Sequence, residues 1–170
     1  MRNVSEQVQH LTESERKMTI ESRLKELGFE LPPPPPAVGN YIGSRRSDNI
    51  LFVGGNTGRV NGKRKFTGKV GGDVTLEQAY EMAQFCALNH VAGIKAVLGD
   101  LERVDHMIML TGYVNVAPGF TQLPAVINGA SDFIVKLWGE RGEHTRCAIG
   151  VASLGSDAPV ETTLVLRAKS

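Results

Sequence analysis

The chain has 170 residues, of which 41% are hydrophobic and 22% are charged. That length and balance allow one globular domain with a sizeable core. The formal net charge is only +1. Proteins that bind nucleic acid mainly through its phosphates usually carry a basic excess or a basic stripe, so the composition disfavours that class of function.

Cysteine usage and hydropathy exclude further classes. Cys86 and Cys147 are the only cysteines, too few for a disulfide framework. No Cys/His group has structural zinc spacing, and no apolar run approaches membrane-spanning length. Residues 1–17 lack the apolar stretch of a signal peptide. We therefore expect a cytoplasmic protein without a structural zinc site.

The first 37 residues are predicted to form an N-terminal arm. Thr19 can cap a short apolar helix that ends at Gly28. Five consecutive prolines follow at 32–36. They favour a stiff extended strap, because proline fixes one backbone angle and lacks an N–H donor. We expect the arm to cover residues 1–37 and the main domain to cover 38–170.

The domain is predicted to begin with two short strands, at 41–45 and 50–54. Asn61-Gly62 is a strong signal for a tight hairpin turn. The basic stretch at 59–69 surrounds this turn. We interpret these cations as a solvated hairpin tip, with an RNA contact as the less favoured alternative.

Alternating helices and strands complete the domain. Thr75 and Gln78 form a capping box at the start of a long helix that Gly99 ends. The remaining elements are expected at 104–115 (strand), 124–138 (helix), 146–153 (strand) and 160–168 (strand). This order predicts an α/β fold, a mixed sheet with two helices on one face.

Arg146 is the first candidate for a functional side chain. It begins a strand whose same-side neighbours are Ala148 and Gly150. An arginine above such a shallow floor can bind a planar carboxylate through paired hydrogen bonds. The alternative is an edge-strand arginine paired with a surface acid, and the residue pattern alone favours that alternative.

Four more side chains have both a functional and a structural interpretation. Glu161 interrupts an apolar strand but also fits its solvent face, and Tyr41 offers a hydroxyl or packs as a half-buried aromatic. Alternation places Cys147 on the face opposite Arg146, where we expect a buried structural thiol. His144 is a candidate acid or base, with a plain surface-loop histidine as the favoured alternative.

Residues 38–168 resemble the RidA/YjgF family, once widely described as endoribonuclease L-PSP. The main match is RCAIGVASL at 146–154, an arginine followed by an alternating small and apolar strand that ends in leucine. Four shorter stretches also resemble family motifs: Gly39-Asn40-Tyr41, Phe52-Val53-Gly54-Gly55, Val126-Ile127-Asn128 and Val160-Glu161. Three positions depart from the family pattern: Ala148 replaces a cysteine of the active branch, Gly155 replaces a proline, and 56–58 replace a glutamine-containing loop.

The resemblance implies a chorismate-mutase-like α/β fold and a homotrimer with clefts between subunits. It also implies hydrolysis of reactive enamines and imines of the 2-aminoacrylate type to 2-keto acids and ammonia, as in 2-iminobutanoate/2-iminopropanoate deaminases. Arg146 would hold the substrate carboxylate, and Glu161 would position water. Tyr41, Gly55 and Asn128 would contribute to substrate binding, and no metal or organic cofactor would be needed.

Two alternatives to this function remain. A non-catalytic trimer that binds small carboxylates or keto acids would use the same Arg146. A ribonuclease is disfavoured, because the sequence shows neither a basic stripe nor an evident histidine acid/base pair. The expected partners are therefore a small imino or keto acid and further copies of the chain, with no membrane and no nucleic acid.

Overall fold

A computed structural model of the chain describes residues 18–170, and it contains a five-stranded mixed sheet flanked by helices. The strands are β1 (Ser44–Ser47), β2 (Ile50–Asn56), β3 (Val104–Asn115), β4 (Thr145–Val151) and β5 (Val160–Ala168), in the order β1-β2-β5-β3-β4. The helices are α1 (Ile20–Glu26), α2 (Leu76–Leu98) and α3 (Leu123–Trp138). Strands β3 and β4 pair in parallel, and the other pairs are antiparallel. The predicted α/β class and element order are confirmed.

Both long helices pack on one face of the sheet, as the sequence predicts. Helix α2 contacts β2 and β5, while α3 contacts β3 and β4. Leu51, Leu110 and Leu164 are buried beneath these helices. Each fully buried leucine contributes roughly 1.5–3 kcal/mol to the free energy of unfolding. The helices also approach each other closely at Gly129, where a Cβ would stand 2.9 Å from the carbonyl carbon of Tyr80.

The short helix α1 belongs to the same core. Ile20 and Leu24 are 1% and 2% exposed. The Arg23 guanidinium donates a hydrogen bond of 3.0 Å to the carbonyl of Leu137 at the end of α3. Thr19 caps the helix as predicted. The division at residue 37 stays a prediction, and residues 1–17 of the arm lie outside the described part of the chain.

Local signals located most element ends. The capping box of Thr75 with Gln78 is present, and Gly99 ends α2 in a left-handed conformation. The strand predicted at 41–45 lies instead at Ser44–Ser47. The reason is a tight turn just before it, in which the Tyr41 N–H donates to the carbonyl of Gly39 at 2.9 Å.

The Asn-Gly turn forms, but its flanking strands do not. Asn61 and Gly62 have φ values of 51° and 75°, and Val60 and Lys63 are joined only by an isolated bridge. The chain after the turn bonds elsewhere: the N–H of Gly68 donates to the carbonyl of Asp157 at 2.9 Å. The backbone after the turn therefore bonds to the β4–β5 connection and does not form the second strand of a hairpin.

The second face of the sheet is left bare by the described elements. Phe52, Met109 and Ile149 project from it with exposed fractions of 49%, 40% and 40%. Cys147 lies on this face and is exposed. The prediction that Cys147 faces away from Arg146 is confirmed, but the prediction of a buried thiol is wrong, because no described element of the chain covers it. Cys86 on α2 is the buried cysteine.

Candidate functional site

The sheet register places Arg146 and Glu161 on opposite faces. Arg146 pairs with Leu110, which is buried on the helix side. Residues directly opposite each other on neighbouring strands share a face. Glu161 alternates with Val160 and Thr162, which are both buried on the helix side, so its side chain leaves the bare side of the sheet. The two predicted catalytic residues therefore do not meet within one protomer.

Arg146 is held by the neighbouring helix. Its Nη1 donates hydrogen bonds to Asn128 Oδ1 at 2.7 Å and to Ser131 Oγ at 3.2 Å. Asn128 and Ser131 are three residues apart on α3 and so lie on one side of the helix. Among residues 18–170 no carboxylate lies within ion-pair distance of Arg146. The structural alternative is thus half right: Arg146 does lie on an edge strand, but within this range it is not paired with an acid.

The contacts of Arg146 define which edge of its guanidinium is free. Both hydrogens on Nη1 are used by Asn128 and Ser131, which leaves the Nε–H and Nη2 edge available. That edge presents two parallel donors, the arrangement that binds a carboxylate bidentately. We call the surrounding depression the Arg146 pocket; it is open to solvent, has a volume of about 260 Å³ and is lined by Ser131, Val135, Glu143, His144 and Arg146.

His144 is fixed against the same pocket by two hydrogen bonds. Its Nδ1 lies 2.6 Å from the carbonyl oxygen of Gly142, and its Nε2 lies 3.0 Å from Ser131 Oγ. A carbonyl oxygen can only accept, so Nδ1 carries a hydrogen. His144 lies in the loop before β4 and is partly exposed, as the favoured interpretation expects, but hydrogen bonds through both ring nitrogens hold it in place.

Glu161 belongs to a separate and larger depression, which we call the Glu161 cleft. Its volume is about 530 Å³, and its lining includes Pro35, Pro36, Tyr41, Gly55, Asn56, Arg59, Arg64 and Glu161. Burial raises the pKa of the Glu161 carboxyl above its usual value. The Glu161 side chain lies directly over Gly55: a Cβ at position 55 would stand 3.0 Å from Glu161 Cδ, so a larger residue there would displace the carboxylate.

The cleft uses some of the cations that the sequence assigns to a solvated hairpin tip. Arg59 and Arg64 are half-buried and line the cleft, whereas Lys63 and Lys65 are exposed. The Arg64 guanidinium also donates to the carbonyl of Ser156. The prediction of a solvated tip is thus confirmed for Lys63 and Lys65 and wrong for Arg59, Arg64 and Lys69. The Arg59 N–H donates to Asn89 Oδ1 of α2 at 2.8 Å, and the Lys69 ammonium donates to Asn115 Oδ1 at 2.9 Å.

The predicted binding residues divide between the two depressions. Tyr41 and Gly55 lie with Glu161, and Asn128 lies with Arg146. The Tyr41 side chain is 59% exposed, and its hydroxyl oxygen accepts a hydrogen bond of 3.2 Å from the N–H of Val38. Within residues 18–170 the Tyr41 hydroxyl donates no hydrogen bond, so its hydrogen is available to a ligand.

Sequence reasoning missed a buried chain of hydrogen bonds behind the cleft. Asn56 Nδ2 donates to the carbonyl of Gly54 at 3.2 Å and contacts His90 Nδ1 at 2.9 Å. His90 Nε2 lies 2.8 Å from Thr162 Oγ1. Desolvation in the core lowers the pKa of His90 to about 4. The signal that could have revealed it is the polar pair Asn89-His90 inside an otherwise apolar stretch of α2.

Neither depression offers a metal site in the described part of the chain. Within residues 18–170, no group of three His, Cys, Asp or Glu side chains is arranged to hold a metal ion. The helices in the same range include none that is long and apolar enough to cross a membrane.

Comparisons with known proteins identify close relatives. The family model described as "YjgF/chorismate mutase-like, putative endoribonuclease" matches residues 21–158. Protein TCP17 of Trypanosoma cruzi is 38% identical over 143 residues, which cover 84% of this chain and 89% of that protein.

Solved structures agree with this assignment. The structure of Atu1372 from Agrobacterium tumefaciens, a protein of unknown function, superposes with a TM-score of 0.84 and 42% identity, covering 89% of this chain and 94% of the other. A Shewanella oneidensis MR-1 protein with the same endoribonuclease description gives a TM-score of 0.85 at 30% identity, over 88% and 99% of the two chains. A RidA from Psychrobacter shares the fold at 20% identity, with a TM-score of 0.55 over 79% of this chain and 93% of the other.

Proposed function

Because this chain belongs to the YjgF/chorismate-mutase-like family, we propose that it hydrolyses small 2-imino acids to 2-keto acids and ammonia. The observation that carries the proposal is the free edge of the Arg146 guanidinium. Asn128 and Ser131 fix the Nη1 end, so the remaining donors are held ready for a substrate carboxylate. A preorganised fork loses less conformational entropy on binding than a freely rotating side chain.

Hydrolysis of an imine requires little chemical assistance from the protein. An imine carbon is already electrophilic, so orientation beside a fixed positive charge supplies much of the acceleration. The proposed substrates are imines of the 2-aminoacrylate type, in which the carboxylate is bonded directly to the imine carbon. No metal or organic cofactor is required for this reaction.

We propose further that the working unit is a homotrimer. Arg146 and Glu161 lie on opposite faces of one sheet, so a site that uses both needs residues from two copies. The bare face with Phe52, Met109 and Ile149 supports association, because exposed apolar patches of this kind mark contact surfaces. Light scattering should give three chains per particle, and a stable monomer in dilute buffer would contradict the assembly.

The test of the function is a substitution at Arg146. A freshly generated 2-imino acid is mixed with protein and semicarbazide, and the loss of semicarbazone is compared with buffer alone. Arg146→Ala should lose activity at least tenfold, since each factor of ten corresponds to about 1.4 kcal/mol. Arg146→Lys should fail as well, because an ammonium cannot present two parallel donors.

A matched control separates binding from folding. Lys136 is an exposed cation on the same helix as Asn128 and Ser131, and Lys136→Ala should leave activity unchanged. The melting temperature of each variant is measured alongside. Wild-type activity in a folded Arg146→Ala protein would remove the deaminase assignment.

A second candidate is a non-catalytic binder of small carboxylates. It is favoured by one observation: Cys147 faces away from Arg146, and Ala148 occupies the strand position on the Arg146 side. Pyruvate binding that depends on Arg146, without imine hydrolysis by the wild type, would select this function over the first.

A further inference from the structure

We infer that Arg59 and Arg64 form a binding site for an anionic group in the Glu161 cleft, and that the ligand is a small organic molecule carrying a phosphate or a carboxylate. Both arginines line the cleft. Neither belongs to the motifs that resemble the RidA/YjgF family. The inference goes beyond the imine hydrolysis proposed above, and its test needs no assay of that activity.

The two cations lack an acidic partner in the described part of the chain. Among residues 18–170 no carboxylate lies within ion-pair distance of Arg59 or Arg64. Glu161 lines the same cleft, but burial raises the pKa of its carboxyl. A carboxylate paired with an arginine would have its pKa lowered instead. The Glu161 carboxylate therefore does not neutralise this pair of positive charges.

The charges of the two arginines also repel each other. Desolvation lowers the pKa of the Arg64 guanidinium, and the positive charge of Arg59 lowers it further. The Asp157 carboxylate has a smaller, opposite effect on this pKa, and one of its oxygens accepts a hydrogen bond of 3.2 Å from Asn115 Nδ2. An anion bound beside both guanidinium groups would replace this repulsion with attraction.

Both side chains are held in place by bonds that leave donors free. The Arg59 backbone exchanges two hydrogen bonds of 2.8 Å with the Asn89 carboxamide on α2, and Arg59 Nη1 donates to the Gly62 carbonyl at 3.0 Å. Arg64 Nη1 donates to the carbonyl of Ser156. Arg64 Nε is buried without a partner. Within residues 18–170 neither Nη2 group makes a hydrogen bond, so both are available to an anion.

The size of the cleft indicates an organic ligand. Its volume of about 530 Å³ falls within the range of pockets that bind small molecules, and a phosphate or carboxylate group alone fills only a small part of it. The Tyr41 hydroxyl and the Thr57 side chain line the same cleft and can contact the rest of the molecule. The natural ligand is therefore larger than an inorganic ion.

The position of the arginines favours a small molecule over a nucleic acid. The exposed Lys63 and Lys65 belong to the same basic turn but do not line the cleft. A polyanion lying along the surface would contact these lysines through successive phosphates. A single anionic group inside the cleft reaches only the arginines.

The test is a titration of full-length ¹⁵N-labelled protein with sodium phosphate and, separately, with sodium acetate. Ionic strength is kept constant, because salt screens exposed charges. At least one anion should shift the amide signals of Gly62 and Ser156 and saturate them below about 50 mM. The anion that binds more tightly identifies the charged group of the ligand. Failure of both anions to saturate these signals at that concentration would overturn the inference.

Substitutions in the basic turn locate the site. Arg59→Gln and Arg64→Gln should each weaken binding of the better anion about tenfold, since each removes a charge-assisted contact. Arg64→Lys keeps the positive charge and should recover most of the affinity. Lys63→Gln is the matched control: it removes the same charge from the same turn outside the cleft, and its affinity should stay within about twofold of wild type.

Folding is monitored through the melting temperature of each variant. The better anion should raise this temperature in wild type and raise it less in Arg59→Gln, because a ligand that binds the folded state stabilises it. Arg59→Gln leaves the bond between Arg64 and Ser156 intact, so it carries the test if Arg64→Gln fails to fold.

Three results would contradict the site. Equal weakening by Lys63→Gln and the arginine variants would show only a general attraction to the basic turn. Shifts confined to Ser131 and His144 would place the anion in the Arg146 pocket. A single-stranded RNA that displaces the anion and loses affinity in Lys63→Gln would identify a nucleic-acid surface. Absence of imine hydrolysis in the wild type would remove the proposed function and leave the anion site unaffected.

Discussion

His90 should make the protein sensitive to mild acid. The imidazole is fully buried on α2 and its pKa is lowered to about 4, chiefly by desolvation. In the unfolded chain the same group has a pKa of about 6.5. The hydrogen bonds of His90 oppose protonation as well. Asn56 Nδ2 donates one hydrogen to the Gly54 carbonyl and directs its other hydrogen at His90 Nδ1. A proton added to Nδ1 would point straight at that hydrogen.

The sign and size of the effect follow from linkage. Between pH 6.5 and pH 4 the unfolded chain binds a proton at His90 that the folded protein does not, so stability falls as the pH falls through this window. The loss of free energy of unfolding is about 2 kcal/mol at pH 5 and about 3 kcal/mol at pH 4. Above pH 7 the contribution is constant.

Urea unfolding at pH 7.5 and pH 5.0 measures this difference. His90→Gln is the informative variant, because a carboxamide can still donate to Thr162 but does not titrate. The variant is expected to be less stable at pH 7.5, since the smaller side chain leaves part of the site unfilled, yet its stability should fall by about 2 kcal/mol less than that of wild type between the two pH values. Identical pH dependence in the two proteins would refute the assignment of a buried, neutral His90.

Three further substitutions test the packing and the cleft. Gly129→Ala should destabilise by roughly 1–3 kcal/mol through a clash with the Tyr80 carbonyl, whereas helix propensity alone would stabilise by about 1 kcal/mol; the sign of the change in a denaturation curve decides. Leu24→Ala should cost about 2–5 kcal/mol, against a change within about 0.5 kcal/mol for the exposed Lys25→Ala; equal effects would show that α1 is not part of the core. Because burial raises the pKa of Glu161, its ionisation disfavours folding as the pH rises through the folded pKa. The free energy of unfolding of Glu161→Gln minus that of wild type should therefore be larger at pH 7 than at pH 4. A smaller difference at pH 7 would contradict the burial of this carboxyl.

The sequence predicted elements well where the signal is local. Strand β5 alternates strictly, and its predicted and observed ranges agree at 160–168. The cap at Thr75 and the glycine at 99 located α2, because both signals depend on backbone geometry within one helical turn. The strand at 41–45 was misplaced by three residues, because the turn at Gly39 that delays it is made by a backbone hydrogen bond that side-chain patterns do not encode.

The candidate site was less predictable, because its contacts join elements far apart in sequence. Arg146 was identified as a candidate, but its partners on α3 depend on how that helix lies across the sheet. Alternation shows which residues of one strand share a face, but it does not relate the faces of different strands. Only the register between strands shows that Arg146 and Glu161 lie on opposite faces of the sheet. Ser131 has no local signature at all, since a serine on a helix surface usually points to solvent.

The prolines at positions 35 and 36 make the two sides of the Glu161 cleft chemically different. Pro35 and Pro36 form part of one wall, and Arg59 and Arg64 also line the cleft. A proline residue contributes ring carbons and a carbonyl oxygen but no N–H group. That part of the wall therefore offers an anionic ligand no backbone donor, and its carbonyls would repel one. Any carboxylate or phosphate that enters the cleft must turn its charge toward the arginines and lay its least polar part against the pyrrolidine rings.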